Sequence, residues 1–90
     1  MLKIAICDDD LKFAGSLETL VITESQELGI RVETEVFADG KTLVEHIRAG
    51  ERYGLIFLDI EMEHVDGISA ARLIRETDRS VLFIYISGYD

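Results

Sequence analysis

Acidic residues and a hydroxyl stand at the ends of three apolar runs in this sequence. Leu2-Lys3-Ile4-Ala5-Ile6-Cys7 runs into Asp8-Asp9-Asp10, Leu55-Ile56-Phe57-Leu58 ends at Asp59, and Val81-Leu82-Phe83-Ile84-Tyr85-Ile86 ends at Ser87. As parallel strands of one sheet, the three runs would deliver these residues to a single C-terminal edge, where open α/β sheets bind ligands. Like charges brought close raise at least one carboxyl pKa unless a cation neutralises them. Mg²⁺ suits such a group, because it takes a few carboxylates, keeps waters and accepts phosphate oxygens. An Asp carboxylate is also a nucleophile toward phosphorus. Phosphoryl transfer then needs little from the protein beyond positioning and charge neutralisation. The set therefore predicts a Mg²⁺-dependent phosphoryl site, with Ser87 placed to bond a phosphoryl oxygen. Asp10 reads as a helix cap instead.

The stretches between the runs have the periods needed to position them. Asp10 caps a helix whose apolar stripe is Ala14, Leu17, Val21 and Leu28, and Gly29 stops it. From Arg31 to Phe37 the sequence alternates, with Val32, Thr34 and Val36 opposite Arg31, Glu33 and Glu35. That pattern predicts a half-exposed edge strand protected by charge. Asp39-Gly40 opens a second helix with Leu43, Val44 and Ile47 inward, ended by Gly50. Asp66-Gly67 opens a third, with Ile68, Ala71 and Ile74 inward and Arg72, Arg75 and Arg79 toward its exposed face and C-terminal end. Phe13, Phe37, Phe57 and Phe83 are read as core. The order β-α-β-α-β-α-β, one helix per connection, implies a parallel sheet with right-handed crossovers.

Bulk properties narrow the function. Ninety residues make one domain, 1–90, and 48% hydrophobic residues suit a globular chain. A net charge of -9 with scattered basic residues argues against nucleic acid or an anionic membrane as a direct partner of this segment. Cys7 is the one cysteine, so no intrachain disulfide is available, and its strand position marks it as a small buried hydrophobe. The residues after Met1 do not resemble a signal peptide and no apolar run could span a bilayer, which points to a cytoplasmic protein. His46 and His64 lack metal-ligand spacing to any other His or Cys and are read as surface residues.

The motifs also carry a resemblance. Ile4-Ala5-Ile6-Cys7-Asp8-Asp9-Asp10, Leu55-Ile56-Phe57-Leu58-Asp59-Ile60-Glu61-Met62, Asp66-Gly67 and Ile84-Tyr85-Ile86-Ser87 resemble, in order and spacing, the receiver domain of two-component response regulators. The resemblance implies a flavodoxin-like fold with strand order 2-1-3-4-5 and a signalling module that is not itself an enzyme. It makes Asp59 the phosphoacceptor for a histidine kinase, and Ser87 the switch hydroxyl. Mg²⁺ would be held by Asp9 directly, by Asp8 partly through water, by Asp59, and by the Glu61 backbone carbonyl; the Glu61 side chain would modulate dephosphorylation. Met62-Glu63 stands where the family has Met-Pro. The family's lysine, its switch aromatic and its fifth strand would lie beyond Asp90, so the resemblance implies a receiver incomplete at its C-terminus. Ser87-Gly88-Tyr89-Asp90 looks like the receivers that precede LytTR-type DNA-binding domains, which would place transcription regulation in a later segment.

Two rival readings are distinguishable. The acids after the first run imitate the Asp-x-Asp of haloacid-dehalogenase-like phosphatases, which would make Asp8 the nucleophile, but Leu11-Lys12 follows where those enzymes have Gly-Thr. A receiver fold used only for protein contacts would neither bind Mg²⁺ nor take up a phosphoryl group. A further expectation concerns assembly. The fourth strand is continuously apolar with no neighbour on its far side, which predicts a homo-oligomer through that strand.

Overall fold

Strand and helix alternate along the whole described chain: β1 (Leu2–Cys7), α1 (Leu11–Glu27), β2 (Val32–Phe37), α2 (Gly40–Arg48), β3 (Leu55–Asp59), α3 (Gly67–Thr77) and β4 (Leu82–Ile86). The structure is a computed structural model that describes residues 1–62 and 65–87. All strand pairs are parallel, and the sheet order is β2-β1-β3-β4, as expected from the sequence. The charged strand β2 lies at one edge and the apolar strand β4 at the other.

Each helix begins in the same way. The side chains of Asp10, Asp39 and Asp66 accept the backbone N–H three residues on, from Phe13 at 3.1 Å, Thr42 at 2.7 Å and Ser69 at 2.7 Å. Each bond satisfies one of the orphan donors of a first turn, and losing such a cap costs about 0.5–2 kcal/mol. The first two helices are followed by glycines in the left-handed region, Gly29 at φ 71° and Gly50 at φ 114°, a conformation that other residues adopt only with strain.

The sheet separates two apolar layers. On one face α2 and α3 cover Ala5, Cys7, Phe37, Ile56 and Leu58 with Leu43, Val44, Ile47, Ala70, Ala71 and Ile74. On the other, α1 is the cover among the described residues for Ile4 and Ile6, with Ala14 buried and Leu17 and Val21 packed beside it.

Several side chains depart from the sequence reading. Leu28 is 72% exposed because it is the capping residue beyond the last turn of α1, past the stripe that Ala14, Leu17 and Val21 continue. Ile68 is 49% exposed, since the buried row of α3 is Gly67, Ala70, Ala71 and Ile74 and leaves Ile68 on a flank. Phe13 is exposed on a flank of α1, as is Leu20 seven residues later. Arg75 is half-buried, not displayed to solvent, with its guanidinium 4.6 Å above the Phe83 ring. Phe37 is core; Phe57 and Phe83 are half-buried at its margins.

Candidate functional site

Parallel pairing sets the site. β1 and β3 end side by side, with Cys7 registered on Leu58, so Asp8 and Asp59 emerge at the same edge. β3 and β4 register Asp59 on Ile86, and Ile60 donates its N–H to the Ile86 carbonyl at 3.1 Å. Ser87 therefore begins the next loop at that edge, where it is exposed. Carboxylate oxygens of Asp8, Asp9 and Asp59 all lie within 4.8 Å of one another.

The two buried acids are held alike. Asp8, 4% exposed, accepts the N–H of Asp10 on Oδ1 at 2.9 Å; Asp59, 7% exposed, accepts the N–H of Glu61 on Oδ1 at 2.9 Å. Each turn fixes one oxygen of its carboxylate in place. Burial raises the Asp8 carboxyl to about 6, the N–H of Asp10 works against the rise, and the charge of Asp59 adds to it. A divalent cation beside it would favour the charged form and offset the cost of burying it. The donor set, three carboxylates with one rim member exposed to solvent, fits a hard cation that retains waters. Among the described residues the ion pair present, Lys3 to Glu51 at 2.8 Å, lies at the opposite end of the sheet.

The predicted site residues are thus sorted. Asp8, Asp9 and Asp59 are brought together, and Ser87 shares their edge. Glu61 is exposed beside Asp59 and donates its backbone N–H to it. Asp10 is a cap, as read. Cys7 is fully buried, with its thiol pushed up to about 12 by burial first and by Asp39, Asp8 and Asp59 next. Its Sγ lies 3.8 Å from the Sδ of Met62, which anchors the loop after Asp59 in the core. His46 is half-buried, not at the surface: its ring lies edge-on to Phe37 at 5.0 Å and its Nδ1 is 2.9 Å from the Thr42 carbonyl. His64, Glu63 and Gly88-Tyr89-Asp90, the last three carrying most of the LytTR resemblance, lie outside the described residues.

Gly67 has a role that sequence reasoning missed. A Cβ there would meet the Asp59 carbonyl oxygen at 2.2 Å and the Ile60 Cα at 2.8 Å, so the first turn of α3 closes directly against the backbone at the end of β3. The available signal was the glycine at the first helical position, after the capping Asp66. Gly67→Ala is expected to destabilise the fold by about 1–3 kcal/mol through overpacking and to displace the Asp59 loop. Urea denaturation, with amide chemical shifts around Asp59, checks both effects.

Residues 4–90 match the family model described as response regulator receiver domain. No curated protein matches the chain. Among solved structures, the receiver domain of the Francisella response regulator 1452 is 30% identical, with a TM-score of 0.74, covering 100% of this chain and 69% of that one. The response regulator TrrA of Thermotoga maritima, in complex with Mg²⁺-BeF, is 28% identical, with a TM-score of 0.73, covering 100% of this chain and 72% of that one. The N-terminal domain of a response regulator/sensory box/GGDEF protein from Carboxydothermus hydrogenoformans shares the fold at a TM-score of 0.85 and 23% identity; the match covers 97% of this chain and 65% of that one, so the chain spans less than two thirds of its length. With the sheet order, the acidic edge and these matches agreeing over nearly every residue, the chain belongs to the response regulator receiver domain family.

Proposed function

We propose that Asp59 accepts a phosphoryl group from a histidine kinase, with Mg²⁺ held by Asp8, Asp9, Asp59 and the Glu61 backbone carbonyl. The observation that carries this reading is the trio of carboxylates within 4.8 Å at the C-terminal edge of the sheet. The likeness to TrrA, described in complex with Mg²⁺-BeF, supports the choice of cation and of phosphoryl chemistry. The Glu61 N–H holds one oxygen of Asp59, and the other is offered to phosphorus. As the new O–P bond forms, the donor's P–N bond breaks and the donor imidazole takes up a proton. Bound at this edge, the cation would neutralise the clustered carboxylates and the phosphoryl oxygens. Ser87 then bonds a phosphoryl oxygen, and that contact biases the surface beyond β4 between two states.

We further propose that residues 1–90 make up a receiver unit, that the protein works in the cytoplasm, and that any DNA-binding output driving transcription is not carried by this segment. No helix among the described residues is long and apolar enough to cross a membrane. Self-association through β4 is also proposed.

A small-molecule phosphodonor with Mg²⁺, followed by intact-mass measurement and peptide mapping, tests the assignment. The expected product carries one phosphoryl group, on Asp59. Label on Asp8 would identify phosphatase chemistry instead. Folded protein showing neither label nor Mg²⁺ affinity by calorimetry would identify a contact module.

A further inference from the structure

β2 has β1 on one side and closes the sheet on the other. The carbonyls of Arg31 and Phe37 accept from Leu2 and Asp8, so Val32, Thr34 and Val36 turn their backbone N–H and C=O away from β1. An edge of this kind is a template for another strand. Its two faces differ in chemistry.

On the face covered by α2 and α3, Glu33 and Glu35 are exposed beside a polar hollow of about 320 Å³ that Lys3, Thr34, Glu51 and Tyr53 complete. Three carboxylates meet one ammonium there. That ammonium is engaged, since Lys3 donates to Glu51 at 2.8 Å and lies 5.3 Å from the centre of the Tyr53 ring. Tyr53 is buried and donates its hydroxyl to Glu35, which holds that carboxylate beside the edge. Among the described residues no ion pair neutralises Glu33. On the α1 face lies a second hollow, of about 460 Å³, walled chiefly by Met1, Ile22, Gln26, Ile30, Arg31 and Val32. Ile22 is 37% and Ile30 47% exposed there. Farther along the same face Thr34 donates its hydroxyl to Glu18 at 2.8 Å.

We infer that β2 receives an extended segment of another protein in which Lys or Arg alternates with Val, Ile or Leu. Successive side chains of a strand point to opposite faces. A segment paired to the outward groups of Val32, Thr34 and Val36 therefore sends its basic side chains toward Glu33 and Glu35. Its aliphatic ones go to the hollow beside Ile22 and Ile30. Main-chain bonds supply the affinity and the two faces supply the selection. Charge complementarity names the partner, because the chain as a whole carries -9 and this edge concentrates acids on one face. A second copy of the chain fits poorly. Antiparallel pairing of β2 with itself across a two-fold axis would set Glu33 and Glu35 against their own counterparts.

A peptide of about seven residues spans this strand of six. The probe is Lys-Val-Lys-Ile-Lys-Val-Lys with blocked ends, and the control is the same composition in block order, Lys-Lys-Lys-Lys-Val-Val-Ile. In NMR titrations up to about 1 mM peptide, the alternating peptide is expected to shift the amides of Val32, Thr34 and Val36. It should also slow their hydrogen exchange at least tenfold, since those N–H groups become paired. The block peptide should bind at least tenfold more weakly. Glu33→Lys should weaken the alternating peptide about tenfold. Thr34→Pro, shown to be folded by circular dichroism, removes the central outward N–H and should abolish the protection at Val32 and Val36. Equal binding of the two peptides, or shifts elsewhere with the β2 amides unmoved, would reveal unspecific attraction to an acidic chain and overturn the inference. Undiminished binding by Glu33→Lys, or no binding by the native chain, would overturn it as well.

Discussion

Asp8→Asn is expected to stabilise the metal-free protein and, in the same change, to remove most of the stabilisation that Mg²⁺ confers. Asp8 is 4% exposed, its carboxylate oxygen lies within 4.8 Å of those of Asp9 and Asp59, and burial lifts it to about 6 from an unfolded value of 3.8. For an acid whose folded pKa is raised, ionisation is harder in the native state than in the unfolded one. The native protein therefore loses stability as pH rises from about 4 to about 6, and above that range the full cost is present, on the order of 2–3 kcal/mol. Asparagine keeps a side-chain oxygen for the Asp10 N–H and carries no charge. The metal-free variant should unfold at higher urea than the native protein at pH 7.5, and the gap should close as pH falls below about 4. With Mg²⁺ the gap should narrow. The native protein gains stability by mass action, while the variant, with one carboxylate fewer, binds at least tenfold more weakly, or about 1.4 kcal/mol. Urea titrations at two pH values, with and without Mg²⁺, give all the arms. Equal stability of the two proteins under every condition would show that the edge is not a strained acidic site.

The second large effect lies in the core. Leu43 is fully buried under α2, among the largest side chains in the protein with no exposed surface. Leu43→Ala is expected to cost about 2–5 kcal/mol, the sum of lost transfer energy and the cavity left behind. Small domains have about 5–15 kcal/mol in total, so this one substitution removes a large part of what is available. One face of the sheet has α1 as its only described cover and has little reserve. Thermal or urea melts followed by circular dichroism measure it. A loss below about 1 kcal/mol would mean that α2 repacks to fill the space.

Much of this molecule is legible in its residues, for identifiable reasons. Solid apolar runs beside alternating ones separate central from edge strands, because a strand covered on both faces has no polar side; β1 and β3 against β2 follow that rule. Asp10, Asp39 and Asp66 mark all three helix starts, since a short carboxylate reaches the N–H three residues on. The failures lie at margins, where periodicity alone decides. Ile68 and Phe13 have the right type and sit one step off the buried row. Arg75 looks like a solvated cation in sequence and lies across Phe83 in space, because its long apolar stem can lie along the sheet while only its head is polar. The closeness of Asp8, Asp9 and Asp59 followed from treating three runs as parallel neighbours. The closure of Gly67 on Asp59 did not, since a contact between a helix start and a preceding strand end leaves no period to read.

Cys7 makes the centre of the sheet chemically addressable. Its thiol is enclosed by neighbouring strands and helices, disfavours the reactive thiolate, and touches Met62 from the loop that follows Asp59. An alkylating reagent can reach it only when the strands part, and because it is the one cysteine, each added label counts one such event. The rate of labelling in native buffer thus works as a clock for opening at the strand that carries Asp8. Any ligand that ties Asp8 to Asp59 would slow that clock, so occupancy at the edge becomes readable from inside the protein without a probe attached to its surface.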